Sequence, residues 1–131
     1  MWAAETASAG NEAFNVVNGD VFRWRWLWGE LARYWGLEPV GPPAGTTAPL
    51  EARMGEAPQR WRAVAQKYAL AEADVDRLVS WWHTDGDLGR QIECVNDMGK
   101  SRRLGFSEYQ DTRGSFFDLW EELKRARIVP A

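Results

Sequence analysis

The stretch 11–28, NEAFNVVNGDVFRWRWLW, restricts the fold more than any other part of this chain. It contains a short, largely apolar run with two valines at 13–18, which is typical of a β-strand covered by other elements. Asn18-Gly19 then favours a tight turn, because both residue types tolerate a positive φ. Asp20 is well placed to cap a following helix through its carboxylate. The stretch therefore predicts a strand, a turn and a helix that need a partner surface.

The helix predicted after this turn spans about residues 21–35 and is rich in tryptophan. Its apolar side chains recur at spacings of three and four residues, so one continuous face is expected to be buried. That face comprises Trp24, Leu27, Trp28, Leu31 and Trp35. Trp26 lies off this face and is the tryptophan expected to meet a neighbouring domain or subunit. Gly36 is expected to end the helix.

The remainder of the chain predicts short helices joined by loops, and we expect a single domain over residues 1–131. A Pro/Gly-rich loop occupies 37–49. Helices are expected at about 49–54, from Pro58 to Tyr68, at 72–82, at 97–104 and at 114–127, with an irregular or weakly helical segment at 83–90 and a short strand at 91–95. The predicted fold class is mainly α with one or two short β-strands.

The composition excludes several classes of function. A net charge of −3 and a pI near 5.2 provide no basic field for nucleic acid, so no nucleic-acid partner is expected. No apolar run approaches the roughly 18 residues of a membrane-spanning helix, and no signal peptide is visible, so no membrane partner is expected. Cys94 is the only cysteine and is expected to be buried, which is compatible with the cytoplasmic location that we predict.

Catalytic and cofactor motifs are missing from the sequence. The chain contains no glycine-rich dinucleotide or P-loop fingerprint, no His/Cys cluster for a metal and no G-x-S-x-G nucleophile elbow. No lysine lies four residues after a tyrosine, so a Tyr-x-x-x-Lys pair for proton transfer is missing as well. The sequence therefore predicts no catalytic, cofactor-binding or metal-binding residue in this chain.

Several polar residues leave a structural and a functional interpretation open. His83 stands between an apolar and a glycine-rich segment, and it fits either a pocket-lining or gating residue or a capping or surface histidine. Asp85 and Asp87 favour helix capping over a Ca²⁺ loop, which needs further oxygen ligands. The basic group at 97–104 favours a solvated helix face over a contact to an anion or cofactor phosphate; it comprises Lys100, Arg102 and Arg103.

The stretch 11–28 resembles the signature of the progesterone 5β-reductase/iridoid synthase-like group. These are atypical extended short-chain dehydrogenase/reductases, often labelled NAD-dependent epimerase/dehydratase in bacteria. Three further stretches agree in order: Trp81-Trp82-His83-Thr84-Asp85, 97–106 and Ile128-Val129-Pro130. The resemblance spans essentially the whole chain and matches about the last third of such an enzyme. It implies the C-terminal substrate-binding lobe of an α/β Rossmann-type extended dehydrogenase, with the Rossmann core absent.

This resemblance also implies site residues, a substrate class and a cofactor. It assigns to the segment that lines the substrate pocket the residues Trp82, His83, Gly86, Asp87 and Leu88. Plant members typically carry Phe where this chain has His83, which argues against assuming a steroid. The implied substrate is an enone or another carbonyl small molecule. NAD(P)H is implied for the full-length enzyme, bound by a missing N-terminal Rossmann domain and not by this chain alone.

Two hypotheses for the function follow. The first is the substrate-binding C-terminal domain of an NAD(P)-dependent reductase or epimerase, which is not catalytic by itself. The alternative is a stand-alone tryptophan-rich interaction or self-assembly module with no enzymatic role. Uncovered apolar surface and an open strand edge predict a homodimer or higher oligomer, with the 13–18 strand or the Trp26 side of its helix at the contact.

Overall fold

The computed structural model describes residues 2–41, 45, 48–90, 92 and 94–131. These residues are mainly helical, which confirms the predicted fold class. The α-helices among them are α1 (Trp2–Glu5), α2 (Trp24–Tyr34), α3 (Leu50–Arg53), α4 (Ala57–Tyr68), α5 (Trp81–Leu88), α6 (Gly99–Arg103) and α7 (Thr112–Arg125). Short 3₁₀ turns occupy Ala7–Ala9 and Val75–Arg77.

The chain divides into two compact units. The first comprises Met1–Pro39 and Cys94–Phe116, and the second comprises Val40–Glu93 and Phe117–Ala131. We call them the N unit and the C unit, and the boundary between them falls inside α7. The single domain over residues 1–131 stays a prediction.

The segment 13–18 is not a strand of a sheet, so the strand predicted there is wrong. Its backbone leads into one isolated parallel bridge between Gly19 and Gln110, where the Gln110 amide donates to the Asn18 carbonyl at 2.9 Å. The Asn15 side chain anchors the segment differently, by donating to the Asp97 carbonyl at 3.0 Å. Gly19 adopts the positive φ expected of it, 97°, but residues 18–19 lead into the bridge to Gln110 and form no hydrogen-bonded turn, so the tight turn predicted there is wrong. A side-chain anchor and one bridge thus replace a ladder of backbone pairs.

The strand predicted at 91–95 lies partly outside the described residues, since 91 and 93 are not among them. Cys94, at the beginning of the following segment, is exposed, so the expectation that it would be buried is wrong. Residues 94–98 have no regular secondary structure. Without a sheet to cover this stretch, its small sulfur-bearing side chain stays at the surface of the N unit.

Helix α2 buries a different face from the one predicted. Leu27 is fully buried and Leu31 is 8% exposed, whereas Trp28, expected in the middle of the buried face, is 53% exposed. Trp24 and Trp35 are likewise exposed. The prediction is therefore right for the two leucines, which are buried, and wrong for the three tryptophans, which are exposed.

An ion pair joins α2 to the first turn of α7. Glu30 accepts from Arg113 at 3.2 Å and from Arg33 at 2.6 Å, and Arg113 belongs to α7. Glu30 follows Leu27 by three residues, so the side of α2 that faces α7 carries both residues. Leu27 is fully buried, and the exposed tryptophans lie along the other edge of the stripe.

Asp20 does cap a helix, but not the helix that follows it. Its Oδ2 accepts from the Thr112 amide at 2.8 Å and its Oδ1 accepts from the Thr112 hydroxyl at 2.6 Å. Thr112 is the first residue of α7 and is buried. Helix α2 instead begins after Arg23, which makes no side-chain capping bond. The carboxylate thus satisfies an orphan N–H of a helix that is distant in sequence.

The basic face of α6 is exposed, as predicted, and one of its cations also binds another segment. Lys100 donates to the Glu12 carboxylate at 2.6 Å and to the Ala13 carbonyl at 3.0 Å, and its Nζ lies 5.0 Å from the centre of the Phe14 ring. The hydrogen bond from Lys100, together with its charge, holds the pKa of the Glu12 carboxyl below its usual value. Two stretches that carry the family resemblance therefore meet here.

Within the C unit, α3 packs against α5, and α4 packs against the 3₁₀ turn Val75–Arg77. Ala65 and Val75 are buried, and the Trp61 indole N–H donates to the Glu72 carbonyl at 3.0 Å. The helix predicted at 72–82 is wrong, because Asp74 accepts from the Asp76 amide and starts a 3₁₀ turn. Of the two alternatives expected for 83–90, irregular or weakly helical, the structure shows helix, since residues 83–88 belong to α5.

Candidate functional site

Helix α5 presents four of the five predicted substrate-binding residues on one face. Trp82 and Gly86 are four residues apart, as are His83 and Asp87, and the helical period places both pairs on neighbouring rows. All four are exposed within the C unit. Leu88 is also exposed, but the same period places it on another side of the helix. We call the group formed by Trp82, His83, Gly86 and Asp87 the outer α5 face.

Two stacked rings form the apolar part of the outer α5 face. The Trp82 indole and the His83 imidazole lie 5.5 Å apart between ring centres, with 29° between their planes. Trp82 is 68% exposed, so one side of this stack is open to a ligand. Flat, exposed aromatic surface suits a planar conjugated group, since stacking and apolar burial add together.

Carboxylate and cationic groups form the polar edge of the same face. Asp87 accepts from Arg90 at 2.6 Å, and its other oxygen lies 3.3 Å from the His83 Nε2. The imidazole is thus positioned from both sides, by the Trp82 ring and by the Asp87 carboxylate. Such a histidine can offer a hydrogen bond to a ligand oxygen beside the stacked rings.

Gly86 leaves the middle of the outer α5 face without a side chain. A Cβ added at Gly86 would meet no atom within 4 Å, so the surface above its backbone is open. Because Trp82 and His83 stand one turn away, Gly86 leaves a shallow gap beside the stack. A ligand lying on the rings can therefore approach the helix backbone at this point.

The inner side of α5 holds the helix in place, and sequence reasoning identified only part of this arrangement. Asp85 accepts from the Leu50 amide at 2.7 Å and from the Glu51 amide at 3.0 Å, so it caps α3. The predicted capping role is thus confirmed for Asp85 and wrong for Asp87, which pairs with Arg90 instead. The i, i+3 spacing of Asp87 and Arg90 was the signal for that pair.

Metal-ligand clusters and membrane-spanning helices are both missing from the described residues. Among residues 2–41, 45, 48–90, 92 and 94–131, no three His, Cys, Asp or Glu side chains cluster as metal ligands would. Over the same ranges, no helix has the length and apolar character needed to cross a membrane.

Comparison with known proteins identifies relatives across nearly the whole chain. No family model matches it. The chain is 34% identical over 131 residues to an (S)-8-oxocitronellyl enol synthase of Nepeta cataria, and 32% identical over 131 residues to another from Camptotheca acuminata. It is also 32% identical over 130 residues to a 3-oxo-Delta(4,5)-steroid 5-beta-reductase of Arabidopsis thaliana.

The matches cover only part of each relative. Each covers 99% of this chain and 33% of the relative. The chain therefore spans about a third of the length of the proteins it resembles, and it matches their C-terminal part.

Proposed function

This chain belongs to the progesterone 5β-reductase/iridoid synthase-like family, and we propose that it supplies the substrate-binding part of a reductase of that family. The proposed substrate is an enone or another carbonyl small molecule. The proposed binding surface is the outer α5 face, without Leu88, which the helical period places on another side of the helix. The chain is not catalytic alone in this proposal, and an NAD(P)H-binding Rossmann domain would act with it.

The arrangement of the outer α5 face is the observation that carries this proposal. A conjugated carbonyl compound has a flat apolar body and one polar oxygen. The Trp82–His83 stack offers a flat surface of matching kind, and the imidazole edge beside Asp87 offers the polar contact. Ligand sites commonly combine such an apolar wall with a few placed polar groups.

The cofactor belongs to the proposed partner domain because the residues described here do not fit it. Dinucleotides are cradled where a strand enters a glycine-rich turn and then a helix. No such unit occurs within residues 2–41, 48–90 and 94–131. We therefore assign no step of hydride transfer to this chain.

Binding in solution tests the proposal. We expect a 3-oxo-Δ(4,5)-steroid or the small enone 2-cyclohexen-1-one to shift the amide resonances of α5 in ¹H–¹⁵N spectra of the intact chain. Trp82→Ala should weaken the affinity about tenfold, since loss of an aromatic stacking partner costs roughly 1.4 kcal/mol. Trp26→Ala is the matched control, because Trp26 is an exposed tryptophan of the N unit.

Two results would contradict the proposal. One is binding that Trp82→Ala leaves unchanged, with shifted resonances outside α5. The other is oxidation of NADPH by the isolated chain in the presence of either enone, which would show that the chain is catalytic alone.

The alternative function, self-assembly through tryptophans, is favoured by a specific surface of the N unit. Trp24 and Trp28 are one turn apart on α2, and Trp35 falls in the same row two turns further on. They are 48%, 53% and 37% exposed. Exposed apolar patches of this kind often mark protein contacts. We propose this tryptophan row, in preference to the Trp26 side, as the contact of a homodimer.

Sedimentation velocity at micromolar concentration tests this second proposal. We expect a dimer whose dissociation constant rises more than tenfold in Trp28→Lys, because a buried charge replaces an aromatic anchor. Trp26→Lys changes the opposite side of the same helix and should alter the constant less than about twofold. A chain that sediments as a monomer at every concentration would exclude self-assembly.

A further inference from the structure

The C unit contains a cleft that the proposed substrate surface does not use. Its volume is about 470 Å³, within the range of small-molecule sites. Trp81 lines it from the first turn of α5, whereas the outer α5 face begins at Trp82 and is directed elsewhere. Its walls come from α3, α4, the 3₁₀ turn and α5; they are formed by Arg53, Met54, Glu56, Ala57, Arg60, Trp61, Val64, Val75 and Trp81.

The long wall of the cleft is one apolar row of α4. Ala57, Trp61 and Val64 follow each other at spacings of four and three, so they lie on one side of the helix. The Trp61 ring is held by its hydrogen bond to the Glu72 carbonyl at 3.0 Å. Val75 is buried at the base. The row is therefore a preformed trough that accepts an apolar group without rearrangement of the indole.

Within the part of the chain that the structure describes, one positive charge at the rim of the cleft has no ion-pair partner. Arg60 is paired with Glu56 at 2.6 Å, so these two rim charges cancel. The Arg53 guanidinium makes no hydrogen bond or ion pair within residues 2–41, 45, 48–90, 92 and 94–131. An open guanidinium beside an apolar trough is suited to a carboxylate, which it can bind through two parallel hydrogen bonds.

The position of Arg53 is fixed from the other end of α3. Asp85 binds the Leu50 and Glu51 amides with both carboxylate oxygens, and Arg53 closes the same single turn. The helix that carries the guanidinium is thus anchored to α5, whose Trp81 forms the facing wall. The backbone of α3 is thus anchored beside the trough, and the exposed Arg53 side chain extends from it at the rim.

We propose that this cleft binds an amphipathic carboxylate, with its hydrocarbon part on the Trp61 and Trp81 walls and its carboxylate at Arg53. The proposal is independent of the substrate surface on the outer α5 face. A neutral apolar compound would gain the same wall contacts and lack the ion pair. The difference between an acid and its alcohol of equal length therefore measures what Arg53 contributes.

Octanoate and 1-octanol, titrated into the intact chain by calorimetry and followed in ¹H–¹⁵N spectra, test the proposal. We expect octanoate to bind about fivefold more tightly than 1-octanol, the upper end for an exposed ion pair. Arg53→Gln should remove that preference and leave 1-octanol unchanged. Arg62→Gln is the matched control, since Arg62 is an exposed arginine of α4 outside the cleft.

Two further variants locate the binding site. Val64→Phe should fill the trough and weaken both compounds, with circular dichroism used to show that the chain stays folded. Trp82→Ala should leave octanoate affinity unchanged, because that ring belongs to the outer α5 face. The proposal is overturned if octanoate does not bind, if Arg53→Gln and Arg62→Gln act equally, or if Trp82→Ala abolishes octanoate binding.

Discussion

Removal of the Asp20 carboxylate should destabilise the N unit, although Asp20 lies in no regular helix. Asp20 supplies two hydrogen bonds to the first residue of α7, one to its amide and one to its hydroxyl. Loss of a helix-capping side chain costs about 0.5–2 kcal/mol, and a further bond to a buried hydroxyl contributes about 1 kcal/mol. We expect Asp20→Ala to lower the free energy of unfolding by roughly 2 kcal/mol.

Urea denaturation followed by circular dichroism measures this loss. Asp20→Asn should lose about half as much, since the amide keeps one acceptor oxygen. Thr112→Val removes only the hydroxyl, so the double variant Asp20→Ala/Thr112→Val should cost less than the two single variants added together. Asp118→Ala, an exposed carboxylate of the same helix, is the control. If Asp20→Ala costs no more than Asp118→Ala, the assigned capping role is wrong.

Three further changes test the packing of the two units. Leu27→Ala should cost about 2–5 kcal/mol in a denaturant melt and Trp28→Ala less than about 1 kcal/mol, because only Leu27 is fully buried. The pKa of Glu12 is lowered on folding. The Lys100 contact therefore stabilises the folded chain above the usual carboxyl pKa, and this stabilisation is lost as the pH falls through the pKa of Glu12 in the folded state. Unfolding curves of wild type and Lys100→Met should converge in acid. Asp85→Ala should cost about 1 kcal/mol and broaden the α3 amide resonances, since two orphan N–H groups lose their acceptor.

The family and the predominance of helix could be predicted from the sequence, because both depend on local pattern. Motifs such as 11–28 and 81–85 can be compared residue by residue, and relatives that match 99% of the chain confirm the family that they indicate. The positive φ of Gly19 was predictable for the same reason, since it is a property of the residue itself. The pairing of four predicted site residues on one side of α5 follows from the helical period only once α5 is known, because the sequence predicted a helix that ends at 82.

Partners that lie far apart in the sequence were decided only by the tertiary structure. Asp20 was correctly recognised as a cap, yet the amide that it binds belongs to Thr112, which the local sequence around Asp20 cannot reveal. Periodicity likewise placed Leu27 and Trp28 on one stripe of α2. Only the leucine edge of that stripe is covered in the folded N unit. A sequence fixes the angles between side chains on one helix, whereas burial depends on the position of a second helix, and that position is set by contacts between distant residues.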